Sequence, residues 1–452
     1  MKYKIVTLLL LFSIIVICIF TTNTILITPQ GHINIIISEG PYWKPIIDAN
    51  GGINTAKGSI YDKMGLKIHL SIINDFEYSY KTLVNNQAIA AGYSISQYAL
   101  LDDDILTIPY IVSSSNGEYG IIANGGINQI EDFANRKIGV VRFSDGEILT
   151  KWLISKSNLL DKNSIKYVYF NTPKEAAEAV LANKIDIAAT WEPYLSNSGK
   201  VIFSTKNANN LVLYGLTFRK DYINTNKDIV KKIVEGALLA EENRDNLDHL
   251  KQTIPTYSIM KDGDIKKIVN NININSYIEN KQLFNGILNS LITDIAFLWD
   301  INQENKDPFD GSVILSLEDK FIEQKPQPIE PNKESTNILL QQRLSINFEV
   351  NEKDIKQESL KILDEFINTA NVLDNTFIQI EGNCSSDGSI ELNYKLSLQR
   401  AQSIANYFVS KGIDKDRLII IGNGSDKPIG DNKTEEGRIL NRRTDIFFKV
   451  AN

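Results

Sequence analysis

Two sets of residues in this 452-residue chain have types and spacings suited to chemistry. Near the C-terminus, Ile378-Gln-Ile-Glu-Gly-Asn-Cys-Ser-Ser-Asp-Gly388 runs from strand-like text into a polar loop. Asn393-Tyr-Lys-Leu-Ser-Leu-Gln-Arg-Ala401 follows as a helix carrying an arginine, and Gly437-Arg-Ile-Leu-Asn-Arg-Arg443 brings a late arginine pair. Arginine offers a planar fork of donors that grips a carboxylate through two hydrogen bonds. In the central region, Asn85-Asn-Gln-Ala-Ile-Ala-Ala-Gly-Tyr93 aligns without gaps to Asn183-Lys-Ile-Asp-Ile-Ala-Ala-Thr-Trp191, four of nine positions being identical. Each copy joins a helix to a short strand and sets an aromatic just past its end, where ligands bind in open α/β sheets. Two such lobes imply a cleft in which Tyr93 and Trp191 hold a planar or cationic group.

Other chemistries lack their residues. The three histidines (His32, His69, His249) are scattered, with no metal-ligand spacing. Neither a Gly-x-Ser-x-Gly elbow nor a P-loop occurs, and no cysteine falls in the central region. A net charge of −7 and the lack of a basic, aromatic-interleaved run argue against nucleic acid. Cys18 and Cys384 stand in unrelated surroundings, so Cys384 is expected to be unpaired. No cofactor is expected.

The elements that position these residues are legible in outline. Ile33-Asn-Ile-Ile-Ile-Ser38 reads as a buried parallel strand, and strands at 137–142, 166–170 and 185–190 alternate with helices at 148–160 and 173–183. That alternation predicts an α/β fold with parallel sheets. Ser144-Asp-Gly-Glu147 and Thr172-Pro-Lys-Glu175 fit capping boxes at helix starts. At the N-terminus, Lys2 and Lys4 precede an apolar run from Ile5 to Ile27, 23 residues long and interrupted only by Thr21-Thr-Asn-Thr24. This length spans a bilayer, and the lysines orient the remainder outside the cytoplasm, so residues 1–30 are expected to be a membrane anchor, with a signal sequence as the rival. Glu323-Gln-Lys-Pro-Gln-Pro-Ile-Glu-Pro331 begins a proline-rich spacer. The expected organisation is a 1–30 anchor, a 31–322 two-lobed domain, a 323–340 linker and a 341–452 α+β domain.

Asp186-Ile-Ala-Ala-Thr-Trp-Glu-Pro-Tyr194 resembles the signature of ABC-transporter solute-binding proteins of the nitrate/sulfonate/taurine type. So do Asn128-Gln-Ile-Glu-Asp-Phe-Ala-Asn-Arg-Lys-Ile-Gly139, Leu213-Tyr-Gly-Leu-Thr-Phe-Arg-Lys-Asp221 and Gly58-Ser-Ile-Tyr-Asp62. The resemblance covers about residues 31–320 and implies two α/β lobes joined by crossing segments, here Ile108–Ser115 and Val212–Thr217, closing over one small ligand. It places Ser38, Trp43, Tyr93 and Ser94 on one side of the cleft and Ser144, Asp145, Trp191, Glu192 and Tyr194 on the other. The start of the helix after Phe143 would offer N–H groups to an anion or carbonyl. Competing readings give Ser144 and Glu147 to capping, Trp43 to a lid over core and Glu192 to solvent, while Trp152 and Trp299 read as core. The acids and aromatics lean towards a neutral or cationic organic ligand with a flat portion.

The C-terminal stretch resembles the peptidoglycan-binding domain of the OmpA family over residues 340–450. The resemblance implies a carboxylate in the loop after the second strand and an arginine on the next helix, gripping diaminopimelate. Arg400 matches the arginine, and Asn351, Asn393 and Arg442/Arg443 match further positions. The family's Gly-His-Thr-Asp is here Gly382-Asn-Cys-Ser385, so Ser385 stands at the acid and Asp387 is the nearest substitute. Arg442 and Arg443 have a competing reading as surface or core-brace charges. The combined expectation is a non-enzymatic, inner-membrane-anchored periplasmic solute-binding protein of the cell envelope. Its partners would be a small ligand, peptidoglycan and an ABC-transporter permease, with delivery or sensing as its output. A membrane-to-wall tether with a degenerate cleft is the alternative, and a relation to pyrimidine-synthase enzymes the third.

Overall fold

The run Ile33–Ile37 becomes a central strand because both of its faces are covered, with Ile35, Ile36 and Ile37 fully buried. The computed structural model describes residues 29–101, 104–208, 210–240, 246–301, 308–321, 338–344, 346 and 355–450. The expected anchor, most of the proline-rich spacer and Asn351 therefore lie outside the described residues. Among the described residues, no helix is long and apolar enough to cross a membrane.

Strands β1 (Ile33–Ile37), β2 (Ile68–Ile72), β3 (Ala90–Ser94) and β4 (Leu106–Ser115) open the first lobe. The second lobe holds β5 (Tyr119–Ala123), β6 (Lys137–Val141), β7 (Lys166–Phe170), β8 (Ile187–Trp191) and β9 (Lys200–Ser204). Then β10 (Leu213–Arg219) and β11 (Ile272–Ile274) return to the first. The sheet orders are β11-β4-β10-β3-β1-β2 and β7-β6-β8-β5-β9. Both sheets are mixed rather than parallel. In each, three parallel strands (β2-β1-β3 and β7-β6-β8) continue into antiparallel partners. The cause is the crossing: β4 and β10 pair antiparallel in the first sheet as the chain leaves for β5 and returns from β9. Ser115 Oγ and Gly117 N bond Thr205 Oγ1 at 2.7 and 2.9 Å, which ties the two crossings together. The expected crossing segments fall on β4 and at the start of β10. The repeated segments also occupy equivalent places, β3 beside β1 and β8 beside β6.

Seven helices matter for the sites: α1 (Lys44–Asn50), α2 (Ile95–Tyr98), α3 (Asp145–Lys156), α4 (Leu288–Leu298), α5 (Gln357–Val372), α6 (Ile390–Ser410) and α7 (Glu435–Asn441). The C-terminal sheet contains β12 (Ile338–Leu344), β13 (Thr376–Gly382), β14 (Leu418–Gly422) and β15 (Thr444–Val450), in the order β12-β15-β13-β14. Helix α6 runs directly over β13 and β14, where a side chain at Gly382 or Gly422 would collide with the α6 backbone at Ser397 and Leu398.

Among the described residues, the C-terminal domain packs its helix α5 against α4 and is joined to the rest of the chain by hydrogen bonds. Asn158, just past α3, exchanges hydrogen bonds with the backbone of Arg343 (2.8 and 3.3 Å), while Gln342 donates to the Lys156 carbonyl. Asn210 and Asn375 bond the carbonyls of Asn371 and Lys206 at 2.8 and 3.0 Å.

Candidate functional site

Between the lobes lies a cluster drawn from several elements. Tyr42 comes from the 3-10 turn Pro41–Trp43, Ser94 and Ser96 from the end of β3 and α2, and Tyr214 from β10. Glu118 lies in the connection just before β5, Tyr119 begins that strand, and Asp145 opens α3. Tyr42 and Tyr214 stack at 3.6 Å between ring centroids. The Tyr42 hydroxyl donates to Glu118 Oε1 at 2.5 Å, and Ser96 Oγ donates to Asp145 Oδ1. Both contacts join a first-lobe hydroxyl to a second-lobe carboxyl.

Glu118 is 6% exposed, and its second oxygen, Oε2, has no hydrogen-bond partner. Burial, with Asp145 and Glu192 nearby, pushes its carboxyl up to about 8 despite the bond from Tyr42. Desolvation also raises Asp145, opposed by hydroxyls of Ser96, Ser94 and Tyr214. Among the described residues, no lysine, arginine or histidine is among the groups acting on either acid.

The residues expected at this cleft divide. Asp145 faces it directly. Trp191 lies beside it, half-buried, with its ring 5.8 Å from Tyr119. Glu192 is the backbone neighbour of Glu118 (N to O 2.9 Å), but its carboxylate accepts from Ser196 N and Oγ and caps the following turn. Tyr194 packs against the outer core of the second lobe. Trp43 is a correction: it is fully buried over Gly92, where no Cβ fits, and uses its indole N–H on Ser38 Oγ at 3.1 Å. Ser38 is thereby occupied as well. Tyr93 is also corrected, since it turns into the lobe, bonds Ser79 at 3.0 Å and packs edge-on against Phe76. Ser94 completes a capping box with Gln97.

The start of α3 likewise does not await an anion. Ser144 Oγ takes the Glu147 N–H, Glu147 Oε2 takes the Phe143 N–H at 2.6 Å, and Asp145 puts a carboxyl at the first helical position. Trp152 is core, as read, while Trp299 bridges the lobes through its indole bond to Ser96 O (3.3 Å) and edge contact with Phe143.

The C-terminal loop gathers arginines instead. Ser385 is buried and donates to Asp387 Oδ2 at 2.9 Å, and Asn393 Nδ2 bonds the Ser385 carbonyl at 3.2 Å. Asp387 lies 3.7 Å from Arg438 and 3.9 Å from Arg442, which also share Glu435. Arg400 is half-buried next to the Cys384 thiol and close enough to Arg442 to feel its charge. Cys384 is a buried free thiol. Arg443 does not belong to this group. It is buried, paired with Asp445 at 2.9 Å, and bonds the Lys427 carbonyl, so it braces the sheet.

Sequence reasoning missed Glu118, Tyr42 and Tyr214, although Leu213-Tyr-Gly215 and Pro41-Tyr-Trp43 were both in view. The available signal was an acid flanked by Gly117 and Tyr119 where the chain enters the second lobe.

Residues 59–240 match the family described as NMT1/THI5 like, and residues 347–442 match the OmpA family. A periplasmic sulfonate-binding protein SsuA of an ABC transporter from Methylobacillus flagellatus superposes with a TM-score of 0.50 at 14% identity, covering 67% of this chain and 99% of that one. This likeness concerns the two-lobed fold. Outer membrane protein A of Bordetella avium is 41% identical over 99 residues, 22% of this chain and 51% of that protein. Peptidoglycan-binding protein ArfA of Mycobacterium bovis is 42% identical over 69 residues, 15% and 21% of the two chains. The chain thus spans about half the length of the first of these two curated relatives and about a fifth of the second.

Proposed function

We propose that this chain, which joins an NMT1/THI5-like two-lobed module to an OmpA-family domain, is a binding protein of the cell envelope rather than an enzyme. Its two-lobed module captures a small organic molecule, and its C-terminal domain holds peptidoglycan. The N-terminal apolar run would anchor it in the inner membrane, and residues 31–322, 323–340 and 341–452 would be receptor, spacer and wall-binding domain. Capture then serves an ABC-transporter permease or a sensing system.

The observation that carries the receptor reading is the cluster of buried polar groups where the lobes meet, above all the unpartnered Glu118 Oε2. A buried acceptor without a partner is costly unless something satisfies it. The wall reading rests on the OmpA-family match and on Arg400, Arg442 and Asp387 sharing one loop region. Thermal-shift screening of the full chain against small organic nitrogen and sulfur compounds tests the first part; a stabilising compound is expected, and a flat profile defeats it. Co-sedimentation with purified sacculi tests the second, with retention expected and its absence decisive against wall binding.

The tether reading also has an observation in its favour. Tyr42 stacks on Tyr214 and Ser96 reaches Asp145, so the cleft is closed on its own side chains. The same flat profile with sacculus binding retained would select it.

A further inference from the structure

We propose that the cleft takes a planar organic cation, with Glu118 receiving its charge; this rests on the reading of the module as a receptor. The argument begins with sign. Asp145 and Glu192 both lie close enough to Glu118 to raise its carboxyl, and among the described residues no base is among the groups acting on Glu118 or Asp145. Lys44, next to Trp43 in sequence, is spent on Asp48 inside the first lobe. The donors at the start of α3 are taken by Ser144 and Glu147. A sulfonate or carboxylate would meet three acids and few free donors, whereas a cation would meet acceptors.

The walls are aromatic. Tyr42, bonded to Glu118, stacks on Tyr214, and Tyr119, next to Glu118 in sequence, meets Trp191 edge-on. Aromatic faces attract flat cations. Glu118 Oε1 is held by Tyr42, which aims the carboxyl and leaves Oε2 for an N–H of the ligand.

Charge balance follows. With the cleft empty, the crowded acids keep a proton on Glu118 at neutral pH, consistent with its carboxyl being pushed up to about 8. An arriving cation replaces that proton, which leaves to solvent, so the net charge of the cleft is unchanged. The charged or titratable groups facing Glu118 are Tyr42 from the 3-10 turn, Tyr119 at the start of β5, Asp145 at the start of α3, Glu192 after β8, Tyr214 on β10 and Tyr257 from the helix Pro255–Ser258. Of these groups, Glu118 is the one pushed up into the neutral range.

The test uses the full chain with three rings of similar size: benzamidinium, benzyl alcohol and benzenesulfonate. Calorimetric titration in buffers of different ionisation heat, from about pH 6 to about pH 9, counts protons. Benzamidinium is expected to bind, releasing up to one proton below about pH 8, with affinity rising roughly tenfold per pH unit before levelling. Glu118→Gln should remove the proton release and weaken binding at high pH at least about tenfold. Binding of benzyl alcohol or benzenesulfonate in preference overturns the cation while sparing the receptor; binding of none of the three rings counts against both. Infrared spectra of the ligand-free chain supply an independent arm. A protonated-carboxyl band at about pH 6 that is lost near pH 9 and absent from Glu118→Gln is expected. Its absence from the native chain overturns the proton exchange whatever binds.

Discussion

The cleft and the C-terminal loop both gather polar side chains, with opposite surpluses of charge. In the cleft, Glu118 and Asp145 are desolvated acids with hydroxyl partners and no base. In the loop, Arg400, Arg438 and Arg442 converge, while Ser385 occupies the position where the OmpA resemblance leads one to expect an acid. Asp387 and Glu435 supply the only described counter-charges paired with Arg438 and Arg442. The difference teaches that charge shortage is met by burial and protonation in one place and by borrowing neighbouring carboxylates in the other. The first is sensitive to pH, the second to salt, because exposed pairs are screened and buried groups are not.

The sharpest way to break this comparison is to separate brace from grip among the arginines. Arg443→Ala leaves the buried Asp445 with only the longer Arg343 contact (3.6 Å) and the Asn383 hydrogen bond (3.3 Å), and should cost about 2–3 kcal/mol in denaturant unfolding of the C-terminal domain. A loss below about 1 kcal/mol would return Arg443 to the binding surface. Next comes acidity in the cleft. Because the folded chain holds a proton on Glu118 that the unfolded chain releases near its ordinary value, stability should fall as pH rises from about 4.5 to about 8 and then level. Glu118→Gln should flatten that slope by on the order of 2–4 kcal/mol across the window, measured by thermal unfolding against pH; an unchanged slope would falsify the buried-acid assignment.

Smaller effects sharpen the loop. Arg400→Ala should reduce sacculus co-sedimentation at least about tenfold while circular dichroism stays native. Ser385→Asp should raise retention about three- to tenfold if the missing acid limits binding. No gain there, together with a loss on Asp387→Asn, would show that Asp387 already serves. Smallest of all, Ser96→Ala removes one inter-lobe hydrogen bond and should cost about 1 kcal/mol in the same unfolding assay.

Much of the architecture was legible because it rests on patterns longer than one residue. The isoleucine-rich first strand, the serine and threonine caps and the repeat at β3 and β8 each involve several positions. What escaped was the direction of single side chains. Tyr42 and Trp43 are neighbours in a tight turn, where successive residues point about a third of a turn apart. One therefore meets the cleft and the other fills the space above Gly92. Arg442 and Arg443 differ in the same way, because β15 begins immediately afterwards and Arg443 is drawn inside by Asp445. Ser94 escaped because a strand that turns directly into a helix consumes its last hydroxyl as a cap. Glu118 sits in a connection with no periodicity to read. The mixed sheets, too, follow from long-range crossings that local alternation does not encode.

Helix α3 deserves a mechanical description. It begins at Asp145, against Ser96 of the opposite lobe, and ends at Lys156, whose carbonyl receives Gln342 of the C-terminal domain. Twelve helical residues make a rod about 18 Å long. Lys156 and Trp152 fasten that rod to Asp294 of α4 at 2.5 and 3.3 Å, near its far end. A rod of this length that tilts by about 10° sweeps its other end through roughly 3 Å, enough to break a hydrogen bond. Here the end in the cleft is held across the lobes by the Ser96 hydrogen bond, and the opposite end adjoins the C-terminal domain. Pulling on the C-terminal domain would thus load a lever whose long arm reaches the cleft, so tension and occupancy bear on the same helix.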